Sequence, residues 1–126
     1  MSTVQIEGLN VVVLCASDLK RSIEFYTGTL GMKMGKNFGS GQLLQAGDDK
    51  TGVTIHLEGG HEAQKPDLKK AQVSVCFRTS SIKASYEALK AAKVPMLMEY
   101  RELRQDFAMF MIADPDGLAI EFAGKP

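Results

Sequence analysis

This 126-residue sequence predicts an α+β fold: two tandem βαβββ modules whose curved sheets surround a shared cleft. Three observations carry that prediction. Asp114-Pro115-Asp116-Gly117 is turn chemistry that restarts a strand at Leu118, because Pro sets φ, Asp bonds its own backbone and Gly accepts positive φ. Residues 46–57 can be laid on the stretch around that turn at an offset of 65, which pairs Gly52 with Gly117, Ile55 with Ile120 and His56 with Glu121. At an offset of 63, residues 17–24 lie on residues 80–87 with five of eight pairs identical or Leu/Ile. Two nearly equal offsets mean an internal repeat of about 60 residues.

Residues 9–16 are almost continuously apolar and valine-rich, which predicts a buried strand. Ser17 or Asp18 then offers an N-cap, and Ile23, Phe25, Tyr26 and Leu30 follow at helical spacing up to Gly31. Phe25 and Tyr26 are expected to pack this helix on its sheet. Strands follow at 32–38, 42–46 and 51–58, with Gly39-Ser40-Gly41 as a turn. Residues 59–70 mix Gly, His, Glu, Pro and Lys without periodicity and suit a linker.

Residues 72–78 alternate, with Val73, Val75 and Phe77 on one side, and predict a strand. Ser80 or Ser81 caps a helix running through Ala92, with Ile82, Tyr86, Leu89 and Val94 at helical spacing and Pro95 as its stop. Strands at 96–102, 107–113 and 118–123 complete the second half. The expected organisation is one domain, 1–126, with module 1 at about 7–59, a linker at about 60–70 and module 2 at about 71–124.

A single helix covers only one face of a four-stranded sheet. Val53, Ile55 and Leu57, with Leu118, Ile120 and Phe122, are expected beneath the helices, which turns His56 and Glu121 to the other face and into the cleft. Methionines recur as same-parity pairs, Met32/Met34, Met96/Met98 and Met109/Met111, each expected on one strand face. Parity leaves open which face that is, since Phe110 and Ile112 compete with Met109 and Met111 for the core. Thioethers on the cleft side would make an adaptable apolar pocket.

Fifteen basic and fifteen acidic residues cancel, so the chain lacks the one-signed field that a nucleic-acid or polybasic membrane surface needs. No apolar run approaches the roughly 20 residues of a bilayer span, and a cytoplasmic protein is expected. Cys15 and Cys76 form no metal-like spacing and read as reduced, small apolar fillers. There is no Gly-rich phosphate loop, nucleophile elbow or CxxC pair. Arg78 could meet an anionic ligand, and Arg101, Arg104 and Asp106 could gate the cleft, but their residue types favour solvated surface for each.

Three pieces together, residues 13–26 with the core Ser17-Asp18-Leu19-Lys20-Arg21-Ser22-Ile23-Glu24-Phe25-Tyr26, then Leu30-Gly31-Met32, then Asp114-Pro115-Asp116-Gly117 running to Glu121, resemble the vicinal oxygen chelate superfamily. That group includes glyoxalase I, extradiol dioxygenases and bleomycin-resistance proteins. The resemblance implies four metal-ligand positions, which fall on Val11, His56, Ser74 and Glu121. Val11 has no donor atom, and Ser74 is a poor ligand for zinc, nickel or iron.

The expected function is therefore small-molecule binding with an incomplete metal site and an apolar or mixed ligand. Its contacts are expected from Val11, Val13, His56, Ser74, Cys76, Met109, Met111 and Glu121. No cofactor is expected. The alternative is a lyase, isomerase or dioxygenase of the glyoxalase type, dependent on Zn, Ni, Mn or Fe, with His56 and Glu121 as metal ligands and catalytic groups. The resemblance implies a cleft built within one chain or across a dimer, and the open edge strands of each half favour a homodimer.

Overall fold

In a computed structural model that describes residues 4–71 and 73–126, each half of the chain forms its own four-stranded mixed sheet. The first half runs β1 (Val12–Cys15), α1 (Leu19–Glu24, continued as a π-helical stretch, Phe25–Thr29), β2 (Lys33–Asn37), β3 (Gly41–Ala46) and β4 (Val53–Glu58). The second runs β5 (Val75–Phe77), α2 (Ile82–Ala91), β6 (Met96–Arg104), β7 (Phe107–Ala113) and β8 (Ala119–Gly124). Strand orders are β1-β4-β3-β2 and β5-β8-β7-β6, with the β1/β4 and β5/β8 pairs parallel and the others antiparallel. Two compact units result, with the break between His61 and Glu62. Among the described residues, no helix is long and apolar enough to cross a membrane.

The two repeat offsets reappear as strand register. Val12, Val13 and Leu14 pair with Ile55, His56 and Leu57, while Val75, Cys76 and Phe77 pair with Ile120, Glu121 and Phe122. Both helices are capped alike: Oδ1 of Asp18 accepts from the Arg21 amide at 3.1 Å, and Oγ of Ser81 accepts from the Ala84 amide at 3.1 Å. Each cap satisfies a donor that the first helical turn leaves without an intrahelical partner.

In the first unit α1 packs on β3 and β4, and the buried set is Leu14, Tyr26, Leu44, Ile55 and Leu57. Tyr26 is fully buried, with Phe25 edge-on to it at 5.2 Å. In the second, α2 packs on β6, β7 and β8 over Ile82, Leu89, Phe110, Ile112, Ile120 and Phe122. The Phe110 and Phe122 rings stack at 4.9 Å.

Two apolar stretches are less buried than their composition predicts. Leu9 is 83% exposed, β1 begins only at Val12, and Val13 and Cys15 are exposed. A strand at the sheet margin under one helix buries one face, so a continuous apolar run does not imply two buried faces. β5 is likewise only three residues, and Val73 is exposed. Gln72, the expected start of that strand, lies outside the described residues.

The sequence places Gln42 at the start of an ordinary strand, yet it is 1% exposed and holds a β-bulge together. The β2/β3 register slips between Met34 and Asn37, which frees backbone carbonyls. The Gln42 amide donates to the Gly35 carbonyl at 2.8 Å and the Leu43 carbonyl at 2.9 Å, and its oxygen accepts from Asn37 at 2.9 Å. The inter-strand turns use aspartates in a similar way. Asp48 accepts from the Lys50 and Thr51 amides, which lowers its pKa, with Thr51 the largest cause. Asp114 accepts from the Asp116 and Leu118 amides at 2.9 and 2.8 Å.

Lys93 rather than Pro95 ends α2. Its φ is +60°, its amide donates to the Lys90 carbonyl at 3.0 Å, and the Val94 amide reaches the Leu89 carbonyl at 3.1 Å. This is a Schellman closure with lysine where glycine is preferred.

Replacing Gln42 by Leu is expected to cost about 1–3 kcal/mol in urea unfolding, because the bulge carbonyls lose their buried donors. Lys93→Gly is expected to add roughly 0.5–1 kcal/mol by relieving the left-handed backbone. An unchanged or lower urea midpoint for the glycine variant would contradict the second expectation.

Candidate functional site

With Leu14, Ile55 and Leu57 committed to the helix side, the opposite face of the first sheet presents Val13, Leu43 and His56 in one row. Val13 is 47% exposed and His56 is half-buried. The imidazole lies directly over Gly41, where any Cβ would collide with His56 Nε2. The Phe38 ring tilts toward it at 6.0 Å, and the Lys36 ammonium sits 5.1 Å from the centre of that ring. A glycine beneath and an exposed aromatic ring beside it thus define where His56 sits. Val11 is half-buried, one residue before β1.

The second sheet resolves the competition between methionine and aromatic residues. Phe110 and Ile112 are fully buried opposite Phe122 and Ile120, on the side that α2 covers. Met111 and Met109 therefore fall on the other side, opposite Glu121 and Ala123. Across the sheet one row reads Cys76, Glu121, Met111, Met98, and the next contains Ala123, Met109 and Arg101. Met96 and Met98 do not share a face as their parity predicts. A register shift between them sets Met96 opposite Ile112 and Met98 opposite Met111. Further shifts bring Arg101 into the Met109 row, a position that the sequence does not announce because bulges leave no periodic signal.

Glu121 is half-buried and Met111 buried. Cys76 is free and exposed, as is Cys15, so neither is the core filler that its residue type predicts. The Cys76 thiol has its pKa raised, first by desolvation and then by the Glu121 carboxylate, against a lowering hydrogen bond from the Ala123 backbone. It is therefore held as a neutral thiol rather than a nucleophilic thiolate. Ser74, before β5, is exposed and borders an open depression of about 180 Å³ with Leu68, Ala71, Val73, Met111 and Ala119. That volume is below the roughly 300 Å³ at which drug-sized ligand pockets begin.

Divalent metals are common in the superfamily that the sequence resembles, and the four implied positions can be tested by their donors. The first unit offers His56 and the aliphatic Val11; the second offers Glu121 and the neutral hydroxyl of Ser74. One imidazole and one carboxylate fall short of the three protein ligands that open catalytic sites keep, so the donor set does not fit that ion. Glu58 and His61 stand with each other instead, His61 Nε2 lying 3.6 Å from Glu58 Oε2 and both close to Cys15.

The Cys76–Glu121 coupling gives a direct check. Glu121→Gln removes the charge that disfavours the thiolate, so Cys76 is expected to alkylate faster in the variant at pH 8, followed by mass spectrometry of the Cys76 peptide. An unchanged rate would mean that the two side chains do not interact.

No curated protein matches the chain. Among solved structures, an integron cassette protein from the mobile metagenome of the Halifax Harbour sewage outfall is 23% identical, with TM-score 0.68, covering 94% of this chain and 99% of its own. The fosfomycin resistance protein FosX from Listeria monocytogenes is 18% identical, with TM-score 0.76 and coverage of 97% and 96%. Lactoylglutathione lyase from Agrobacterium tumefaciens is 19% identical, with TM-score 0.70 and coverage of 94% and 93%. At these identities the likeness is one of fold. The family described as the Glyoxalase/Bleomycin resistance protein/Dioxygenase superfamily matches residues 8–122. With that match spanning nearly the whole length and the paired βαβββ units in place, the chain belongs to the glyoxalase, bleomycin resistance protein and dioxygenase superfamily.

Proposed function

We propose that this protein binds small molecules of apolar or mixed character on the open faces of its sheets, with His56 as the polar anchor on the first and Glu121 on the second. The observation that carries the proposal is the row in which a half-buried carboxylate, Glu121, stands beside Met111 and Met98, with Met109 in the next row. Thioethers are flexible and polarizable and adapt to varied apolar shapes, while one carboxylate among them can orient a ligand hydroxyl or amine. His56, seated over Gly41 beside the exposed Phe38, offers an imidazole next to an aromatic surface. Val13, Ser74 and Cys76 complete the contact set, with Cys76 as a neutral donor.

The metal-dependent lyase, isomerase or dioxygenase alternative is weaker because Val11 supplies no third donor. A homodimer is part of the proposal, since each open sheet has edge strands able to pair. Lys33 and Lys36 on the fully exposed β2 argue against that particular edge.

The test is a thermal-shift screen of tag-free protein against amphiphilic small molecules, followed by titration of the hits. A ligand that binds only the native state stabilises it by about 2.7 kcal/mol at a hundredfold excess over Kd. A hit held on the first sheet is expected to weaken by tenfold or more in His56→Ala, and one held on the second sheet in Glu121→Ala. Unchanged affinity for every hit in both variants would remove these residues as anchors. A bound divalent ion lost specifically in His56→Ala, read by elemental mass spectrometry, would favour the enzyme reading instead.

A further inference from the structure

Away from His56, the same face of the first sheet ends in three chemically different metal donors. Cys15 and Glu58 are direct partners in the parallel β1/β4 pair, so both project from the face that carries Val13 and His56. Gly59 and Gly60 follow, and Gly60 at φ +84° turns the chain back. The His61 amide then donates to the Ala16 carbonyl at 3.2 Å, and the Ala16 amide donates to the Glu58 carbonyl at 2.7 Å. The Gly59 amide is tied to the Ser40 carbonyl at 2.9 Å. These backbone bonds hold His61 beside the end of β1, and one ligand atom each from Cys15, Glu58 and His61 lies within 4.8 Å of the other two.

We propose that Cys15, Glu58 and His61 form a binding site for a divalent transition ion of the zinc type, separate from His56 and Glu121. A tetrahedral ion with bonds of about 2.0–2.3 Å needs its donors roughly 3.3–3.8 Å apart. The His61–Glu58 separation of 3.6 Å already meets this, and all three side chains are exposed and free to close the remainder by rotation. Sulfur, imidazole nitrogen and carboxylate oxygen suit zinc and its neighbours in the transition series, whereas magnesium and calcium favour all-oxygen sets. An exposed His–Glu pair alone contributes little, so the cysteine is the residue that makes this group a metal site. Three protein donors leave a fourth position for water or for a ligand atom. Closing the site fastens the segment after β4 to the end of β1.

Cobalt(II) titration of reduced, tag-free, full-length protein tests this, because thiolate ligation produces a near-ultraviolet charge-transfer band. One ion per chain with that band is expected. Cys15→Ser should abolish the band, and His61→Ala and Glu58→Gln should each weaken binding by tenfold or more. Cys76→Ser and His56→Ala should leave the band unchanged, which separates this site from the proposed ligand anchors. All five side chains are exposed or half-buried, and circular dichroism establishes that each variant is folded. Absence of the band at saturating cobalt, its persistence in Cys15→Ser, or its loss in His56→Ala or Cys76→Ser would overturn the proposal.

Discussion

A single helix can cover only one face of a four-stranded sheet, and this constraint organises both halves of the protein. Because side chains alternate along a strand, committing Leu14, Ile55 and Leu57 to α1 forces Val13, Cys15, His56 and Glu58 to the other side. In the second unit, committing Phe110, Ile112, Ile120 and Phe122 to α2 does the same for Met109, Met111 and Glu121. His56, Met109, Met111 and Glu121 thus each share a strand with the core residues that place them. Core packing and site formation are one decision, taken twice.

Backbone devices then set the finer positions. The Gln42 side chain fills the β2/β3 bulge, and the neighbouring Gly41 leaves room for the His56 ring. Asp48 and Asp114 draw their turns together through amide hydrogen bonds, so that β4 and β8 restart in register with β3 and β7. Gly117, at φ +85°, is doubly constrained, since a Cβ there would also collide with the Gln64 carbonyl. These polar and glycine positions contribute little apolar burial. Their role is to fix register, and a one-residue slip would exchange the core and site faces.

The two open faces have different chemistry. The first carries an imidazole with an aromatic neighbour and, two residues further along each strand, a thiol and a carboxylate. The second carries one carboxylate among thioethers, and that charge helps to keep the adjacent Cys76 thiol protonated. Relatives in fold include a resistance protein and a lyase, so the scaffold does not select among functions. In this chain Val11 carries no donor atom, whereas Cys15, Glu58 and His61 bring one ligand atom each within 4.8 Å of the others.

The sequence by itself determined the βαβββ repeat, the starts of both helices to within one residue, the Asp-Pro-Asp-Gly turn and the separation of His56 and Glu121 from the helix-covered residues. These are local or periodic properties: a cap needs its own turn, and a face needs only parity. Tertiary structure alone decided the positions that depend on broken periodicity or on distant chain segments. The β6 bulges placed Met96 and Met98 opposite different residues and carried Arg101 into the Met109 row, and no spacing encodes a bulge. Exposure of Cys15 and Cys76 followed from which sheet face each helix covers, where cysteine as a residue type predicts burial. Cys15 and His61 are 46 positions apart, so their meeting depends on the parallel β1/β4 pairing and the Gly59-Gly60 turn, neither of which a spacing rule for metal ligands can detect.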